Sequence, residues 1–294
     1  MLPPELAREI RKLEIRTDRV VDELIGGAYH SVFKGRGIEF EEVREYAEGD
    51  DVRDIDWNVS ARMNTPYIKK YIEERELNVL LMVDVSASGS VGTGRRTKRQ
   101  TAAELAALLA FSAGRNGDKV GLLLFSDRRE LMLAPRSGRT HTLRLIRDLL
   151  AFQPQGHGTD LAGAVAEADR LLNKRCVIFL ISDFIEGGDY AAGLRVLNRR
   201  HDVIAVRIQD RSELAWETML GTGVCDAETG EVIQLSGSAA ERRAFAEAAA
   251  AELRRSEAIC EAAKVDLIDL RCGDDLLRPL IRFFERRKGR IRRI

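Results

Sequence analysis

Three short runs hold the residues best suited to chemistry: Asp84-Val85-Ser86-Ala87-Ser88, Gly158-Thr159-Asp160 and Ser182-Asp183. Together they offer the carboxylates of Asp84 and Asp183 and the hydroxyls of Ser86, Ser88 and Thr159. An all-oxygen set suits a hard divalent cation, Mg2+ first and Mn2+ next, and two formal negative charges neutralise it. With some ligands acting through water, octahedral coordination leaves a vertex for an outside group. A metal held mainly by neutral hydroxyls stays electrophilic toward an incoming carboxylate, which is the behaviour of a receptor and not of a hydrolytic centre. Each run alone is ordinary. An Asp at a strand end is common in α/β proteins, Ser86 and Ser88 suit a turn, and Thr159 suits a helix N-cap. Asp160 reads as a first-turn carboxylate favoured by the helix dipole, and His157, between two glycines, as a loop residue.

The runs matter only if the chain brings them together. Residues 77–84 (LNVLLMVD) form a continuous apolar run, as expected of a strand buried on both faces. An Ala/Leu-rich helix over 97–115 follows, then a second buried strand at 120–125. A turn at 126–128 leads to a short strand at 130–134. Helices are expected at 139–152 and 160–173 around a Gly/Pro loop at 153–159. Strands at 177–182 and 203–208 flank a helix at 189–199, and a strand at 265–270 precedes a helix at 274–287. The three-residue turn before 130–134 is too short for a crossover, so that strand runs antiparallel to its neighbour. Taking 77–84 as upward, helix 139–152 must then ascend, so the loop 153–159 sits at the top. The strand 177–182 climbs and delivers Asp183 to the same level. All three runs reach the carboxyl ends of the parallel strands, where open α/β sheets bind ligands.

The remaining chain is less informative. Residues 5–25 carry Leu6, Ile10, Leu13, Val20, Val21 and Leu24 at helical spacing. Residues 39–56 are acidic and lead to Trp57 and a turn at Asn64-Thr65-Pro66. A β-hairpin is expected at 219–235, turning at 228–230, and an Ala-rich helix at 239–263.

The 294 residues, with 47 Lys and Arg against 47 Asp and Glu, argue against a general nucleic-acid binder, which carries a basic excess. Hydrophobic residues at 45% and charged ones at 32% fit an ordinary folded protein. No stretch approaches 18 uncharged apolar residues, so no transmembrane helix is expected. The start Met1-Leu2-Pro3-Pro4-Glu5 lacks the features of a signal peptide. Cys176, Cys225, Cys260 and Cys272 form neither a zinc knuckle nor a disulfide framework. A reduced, cytoplasmic setting is the expectation.

Asp84-x-Ser86-x-Ser88, Thr159 and Asp183 resemble the metal-ion-dependent adhesion site of von Willebrand factor A domains. Residues 37–76 are similar to the bacterial family called domain of unknown function 58, through Arg44-Glu45-Tyr46, Gly49-Asp50, Arg53-x-Ile55-Asp56-Trp57, Ser60-Ala61-Arg62 and Pro66-Tyr67-x-Lys69-x-Tyr71. The resemblance covers about residues 30–210. It implies an α/β fold with a mostly parallel six-stranded sheet in the order 3-2-1-4-5-6, strand 3 antiparallel, and helices on both faces. Residues 1–75 then form an N-terminal arm, and 76–294 a von Willebrand factor A-like domain with an insertion at about 211–264 and a basic tail. The resemblance also implies a non-enzymatic, Mg2+-dependent interaction module that works with a MoxR-type AAA+ ATPase in complex assembly or chaperone-like activation. One departure is Phe184, where many von Willebrand factor A domains have Gly.

Other chemistries fit less well. Gly89-Ser-Val-Gly-Thr-Gly94 approaches a P-loop, but Arg95 and Arg96 stand where Lys and Ser/Thr are needed. With Lys98 and Arg99 they suggest an exposed loop for partner contact. A haloacid-dehalogenase-like phosphohydrolase needs a carboxylate two residues after Asp84, where Ser86 stands. None of the four histidines falls in a nucleophile-elbow context. The Arg44–Arg62 segment could form a buried ion-pair network bracing the arm, or a docking surface for a scaffold whose metal site is vestigial. The basic run 286–293 is expected to be a solvated end, with contact to an anionic membrane surface as the alternative.

Overall fold

The structure, a computed structural model, describes residues 8, 10–12, 38–47, 50–73, 76–92, 94, 96–185, 188–214, 223–225, 230–234 and 238–291. A two-stranded antiparallel sheet comes first, β1 (Ile38–Glu45) with β2 (Tyr67–Glu73), and between them lie a 3-10 turn and the short helix α1 (Trp57–Met63). The main sheet follows: β3 (Asn78–Asp84), β4 (Lys119–Phe125), β5 (Arg129–Arg136), β6 (Val177–Ser182), β7 (Asp202–Gln209) and β10 (Asp266–Arg271). Its helices are α2 (Lys98–Arg115), α3 (Arg139–Ala151), α4 (Leu161–Leu171) and α5 (Ala191–Arg200). The stretch after β7 contains α6 (Arg211–Leu214), the hairpin strands β8 (Gly223–Cys225) and β9 (Val232–Gln234), and α7 (Ala239–Ala263); α8 (Leu277–Ile291) closes the described chain.

The six strands lie in the order β10-β7-β6-β3-β4-β5, parallel except for β5, which pairs with β4 antiparallel. That is the order and the one reversal expected from the sequence. The apolar runs are continuous because successive residues feed opposite layers. Val79, Leu81 and Val83 enter one core with α2, α3 and α8, while Leu80 and Met82 enter the other with α4, α5 and the end of α7. Parallel register sets Asp84 opposite Phe125, and Val83 opposite Ile181 one residue before Ser182, so β3, β4 and β6 end on one rim.

The ends of α2 and α4 are set locally. Thr97 and Gln100 form a reciprocal capping box at the start of α2. At α4 the cap is Asp160, whose carboxylate accepts from the Gly163 N–H at 2.7 Å. This corrects the expectations of Thr159 as the cap and of Asp160 as a first-turn carboxylate.

Helix α7 is clamped near its carboxyl end. The buried Arg207 on β7 donates to Leu253 O at 2.9 Å, Ser256 Oγ at 2.6 Å, Glu257 at 2.8 Å and Asp269 Oδ1 at 2.6 Å. The first half of α7 is largely exposed.

Several expectations change. Strands β1 and β2 are missing from the sequence reading because charged residues mask their alternation. Arg44 does form an ion pair, a double hydrogen bond to Asp50 at 2.9 and 2.7 Å, but the pair is local and Arg44 remains 41% exposed. The basic run near the C-terminus is partly pinned: Arg287 pairs with Asp202, approaches Asp266 at 3.7 Å and lies over the Phe283 ring. In the expected helix 5–25, residues 8 and 10–12 are helical and Ile10 is buried in the core. The rest of that helix, Arg95, and most of the expected 228–230 turn lie outside the described residues.

Candidate metal centre

The first loop is shaped by Asp84 itself. Its Oδ1 accepts the Ser86 N–H at 2.9 Å, which curls the chain as it leaves β3. A 3-10 turn over Ala87–Ser90 then returns Ser88, setting its Oγ 3.1 Å from Ser86 Oγ.

The third loop interlocks with it. Ser182 Oγ donates to Asp84 Oδ2 at 2.7 Å and accepts the Phe184 N–H at 3.1 Å. Asp183 Oδ1 accepts the Ile185 N–H at 3.1 Å, and its Oδ2 accepts from Ser88 Oγ at 2.9 Å. Phe184 adopts a left-handed backbone, φ 58°, where glycine is usual. Its ring is buried beside Tyr190, with centroids 6.2 Å apart, and this packing holds the strained turn. The departure from Gly seen in the sequence is thus an anchor for the loop.

The second loop is fastened to the same rim. The His157 carbonyl accepts the Ala87 N–H at 2.9 Å, and Asp160 N–H donates to Ser126 O at 2.9 Å, with Thr159 between them. Glu130 holds this loop from beneath: its Oε1 accepts from Ser126 Oγ at 2.7 Å, Gln155 N at 3.0 Å and Gly156 N at 2.7 Å. Burial raises the Glu130 carboxyl, but these hydrogen bonds outweigh it and leave the pKa below the ordinary value. Gly156 is required here, because a Cβ would lie 2.2 Å from Ser126 Oγ and 2.4 Å from Asp127 Oδ1.

The structure therefore brings Asp84, Ser86, Ser88 and Asp183 into one cleft, which Lys98 and Ser182 also line. Thr159 lies on the same rim, outside the cleft's lining residues. Burial, followed by repulsion from Asp183, pushes the Asp84 carboxyl up to about 6. The donors of Asp84, Ser86, Ser88 and Asp183 are all oxygen, so these residues fit a hard divalent cation, with the Lys98 ammonium also at Asp183. Among the described residues no group of three or more His, Cys, Asp or Glu side chains is arranged to hold a metal, so an ion here would depend on the hydroxyls.

Lys98 corrects an expectation. It is buried, 4% exposed, and does not form part of an exposed basic loop; its Nζ donates to Asp183 Oδ2 at 2.6 Å and also to Glu213 on α6. Burial disfavours the ammonium, yet the charges of Asp183 and Glu213 keep its pKa above the ordinary value. Burial raises the Glu213 carboxyl against the pull of Lys98. Nearby, Arg96 pairs with Glu104, and Arg99 donates to the Phe152 carbonyl. Lys98, Glu130, Ser182 and Glu213 were not singled out as site residues from the sequence. The Ser182-Asp183 adjacency was a signal for Ser182, and Lys98 stood out only as part of a basic run read as exposed.

A family model described as protein of unknown function DUF58 matches residues 42–255, from β1 into α7. The chain belongs to the DUF58 family. The DUF58 match includes all five candidate ligands and the Arg44–Arg62 segment. The six-stranded sheet of this DUF58 chain, with β5 alone antiparallel, has the α/β topology that the von Willebrand factor A resemblance implies. An uncharacterized protein of Mycobacterium tuberculosis is 32% identical over 289 residues, covering 97% of this chain and 91% of that protein. Among solved structures, the conserved hypothetical protein BatB from Bacteroides thetaiotaomicron superposes with a TM-score of 0.49 at 15% identity, covering 72% of this chain and 99% of that one. The SpRpn10 VWA domain gives a TM-score of 0.39 at 14% identity, over 70% of this chain and 94% of that one. Among the described residues no helix is long and apolar enough to cross a membrane.

Proposed function

We propose that this protein is a non-enzymatic interaction module whose three-loop rim holds Mg2+, or Mn2+, through Asp84, Ser86, Ser88, Thr159 and Asp183. The observation that carries this reading is the meeting of two carboxylates from separate strands, Asp84 and Asp183, joined by the Ser86 and Ser88 hydroxyls in one buried cleft. When bound, the ion supplies an electrophilic centre for an Asp or Glu side chain of a partner protein. The chain's own groups are fixed beforehand: both Asp84 oxygens already accept hydrogen bonds, and Phe184 anchors the Asp183 turn. The family resemblance supplies the expected partner, a MoxR-type AAA+ ATPase, and the cysteine usage supports a reduced, cytoplasmic setting.

The test is capture of a purified MoxR-type ATPase by the immobilised protein in Mg2+ and in EDTA, with Asp84→Ala beside wild type. Capture lost in EDTA and in the folded variant is the expected result; capture indifferent to both rules the metal-dependent reading out. Turnover of a generic phosphoester by wild type, abolished in Asp84→Asn, would instead identify a phosphohydrolase.

One observation favours a second reading, a scaffold with a vestigial metal site docking through residues 39–62. Trp57 is 70% exposed, with Val52 and Met63 also exposed around α1. Trp57→Ala should leave stability within about 0.5 kcal/mol while removing an EDTA-insensitive capture; retained capture rejects docking through this segment.

A further inference from the structure

The cleft already contains a cation belonging to the chain. Lys98 is the first residue of α2, where the helix dipole disfavours positive charge. Its side chain nevertheless turns inward and is buried, with Nζ 2.6 Å from the Asp183 oxygen that also accepts from Ser88. Its other carboxylate partner is Glu213, which comes from α6 just after β7. One turn further along α2, Thr101 is buried with Oγ1 3.7 Å from Cys272 Sγ, so packed groups back the lysine.

We propose that Lys98 and Glu213 set the charge of the Asp84–Asp183 cleft and thereby its affinity for divalent ions. The Lys98 ammonium is a resident cation with which an incoming ion must share Asp183, and Glu213 is the counter-anion that draws the ammonium aside. The inference rests on the metal-site reading above. With all four groups ionised, Asp84, Asp183, Glu213 and Lys98 sum to two net negative charges, while Arg99, which also lines the cleft, directs its guanidinium to the Phe152 carbonyl. Removing the lysine charge leaves three, and removing the glutamate charge leaves one. At these separations and in a partly desolvated site, one unit charge changes ion affinity strongly.

The test is Mg2+ titration by calorimetry, with Mn2+ binding by electron paramagnetic resonance as a second readout. It compares wild type, Lys98→Met, Glu213→Gln and the double variant, each checked for folding by melting in EDTA. Lys98→Met is expected to tighten binding by at least about tenfold, and Glu213→Gln to weaken it by a similar factor. The double variant, with its net charge restored, should return close to wild type. If Lys98→Met does not fold, Glu213→Gln and the double variant decide the matter by the same pattern. An ion pair that serves only as a structural brace would weaken binding in both single variants, and that result overturns the proposal. Binding by wild type with no change in the variants overturns it too and leaves the metal site standing. Binding by Lys98→Met alone supports the proposal and shows that in wild type the ammonium takes the ion's place. No binding by any of the four removes both readings.

Discussion

Ser88 and Asp183, separated by 95 positions in the chain, are joined by a hydrogen bond of 2.9 Å from Ser88 Oγ to Asp183 Oδ2. It joins the loop after β3 to the loop after β6. Between these strands the chain makes a parallel crossover, an antiparallel excursion through β5 and two further helices. The bond can form only because that path returns both strand ends to one rim.

If this rim holds a divalent ion, Mg2+ must stabilise the fold, because the ion binds the native state and not the unfolded chain. At about a hundred times the dissociation constant the gain is about 2.7 kcal/mol, or roughly 5 °C in melting temperature for a chain of this size. Differential scanning calorimetry with and without EDTA measures it. Asp84→Ala should lose the shift completely.

The raised Asp84 pKa predicts a pH dependence in metal-free buffer. The unfolded carboxyl titrates near 3.8 and the folded one near 6, so between these values the native state binds more proton than the unfolded state. Stability relative to Asp84→Asn should therefore fall as pH rises from about 4 to about 6 and stay level above. A shift of this size corresponds to about 3 kcal/mol. Urea titrations of both proteins in EDTA across this range check the sign.

Phe184 should reverse a familiar order of substitution. Ala normally stabilises relative to Gly, but at φ 58° glycine has no Cβ penalty. Phe184→Ala should cost about 3–5 kcal/mol for the lost ring. Phe184→Gly should cost about 1 kcal/mol less than Phe184→Ala. Chemical denaturation of the two variants decides it; Gly proving the worse residue would show that this left-handed turn carries no Cβ strain.

Gly156→Ala should disturb the second loop. The new methyl would lie 2.2 Å from Ser126 Oγ and 2.4 Å from Asp127 Oδ1, so both side chains must shift and the Ser126–Glu130 hydrogen bond is disturbed. A loss of about 2–3 kcal/mol is expected. A weaker Mg2+ response should accompany it, because Thr159 is carried on this loop. Unchanged Mg2+ binding in a destabilised variant would remove Thr159 from the ligand set.

Much of this architecture was legible because burial leaves a strong trace. Strands β3, β4 and β6 are buried on both faces, so their sequences are near-continuous apolar runs that stand out from the helices around them, and β7 departs from this chiefly at Arg207. The turn before β5 is so short that it permits only an antiparallel return, which fixes where residues 153–159 must lie. Strands β1 and β2 gave no such trace, because their charged residues obscure the alternation that would mark a strand. Lys98 was hidden for another reason. In sequence it sits within a basic run that reads as surface, and its carboxylate partners are 85 and 115 positions away. Glu130 was similarly silent, since its role is to accept donors from a loop 25 residues further on. Local sequence reports burial well; it reports which distant charge a buried side chain will meet only poorly.

The clamp on α7 has a mechanical consequence. A helix of 25 residues is about 37 Å long, and Arg207 grips it only from Leu253 onward. Its amino-terminal half continues about 20 Å beyond that grip as a rigid rod, with Arg207 as the pivot beside the sheet. A rotation of about 10° at the pivot swings the far tip by roughly 4 Å, so a small adjustment around Arg207 is delivered, enlarged, to the outer end of the helix.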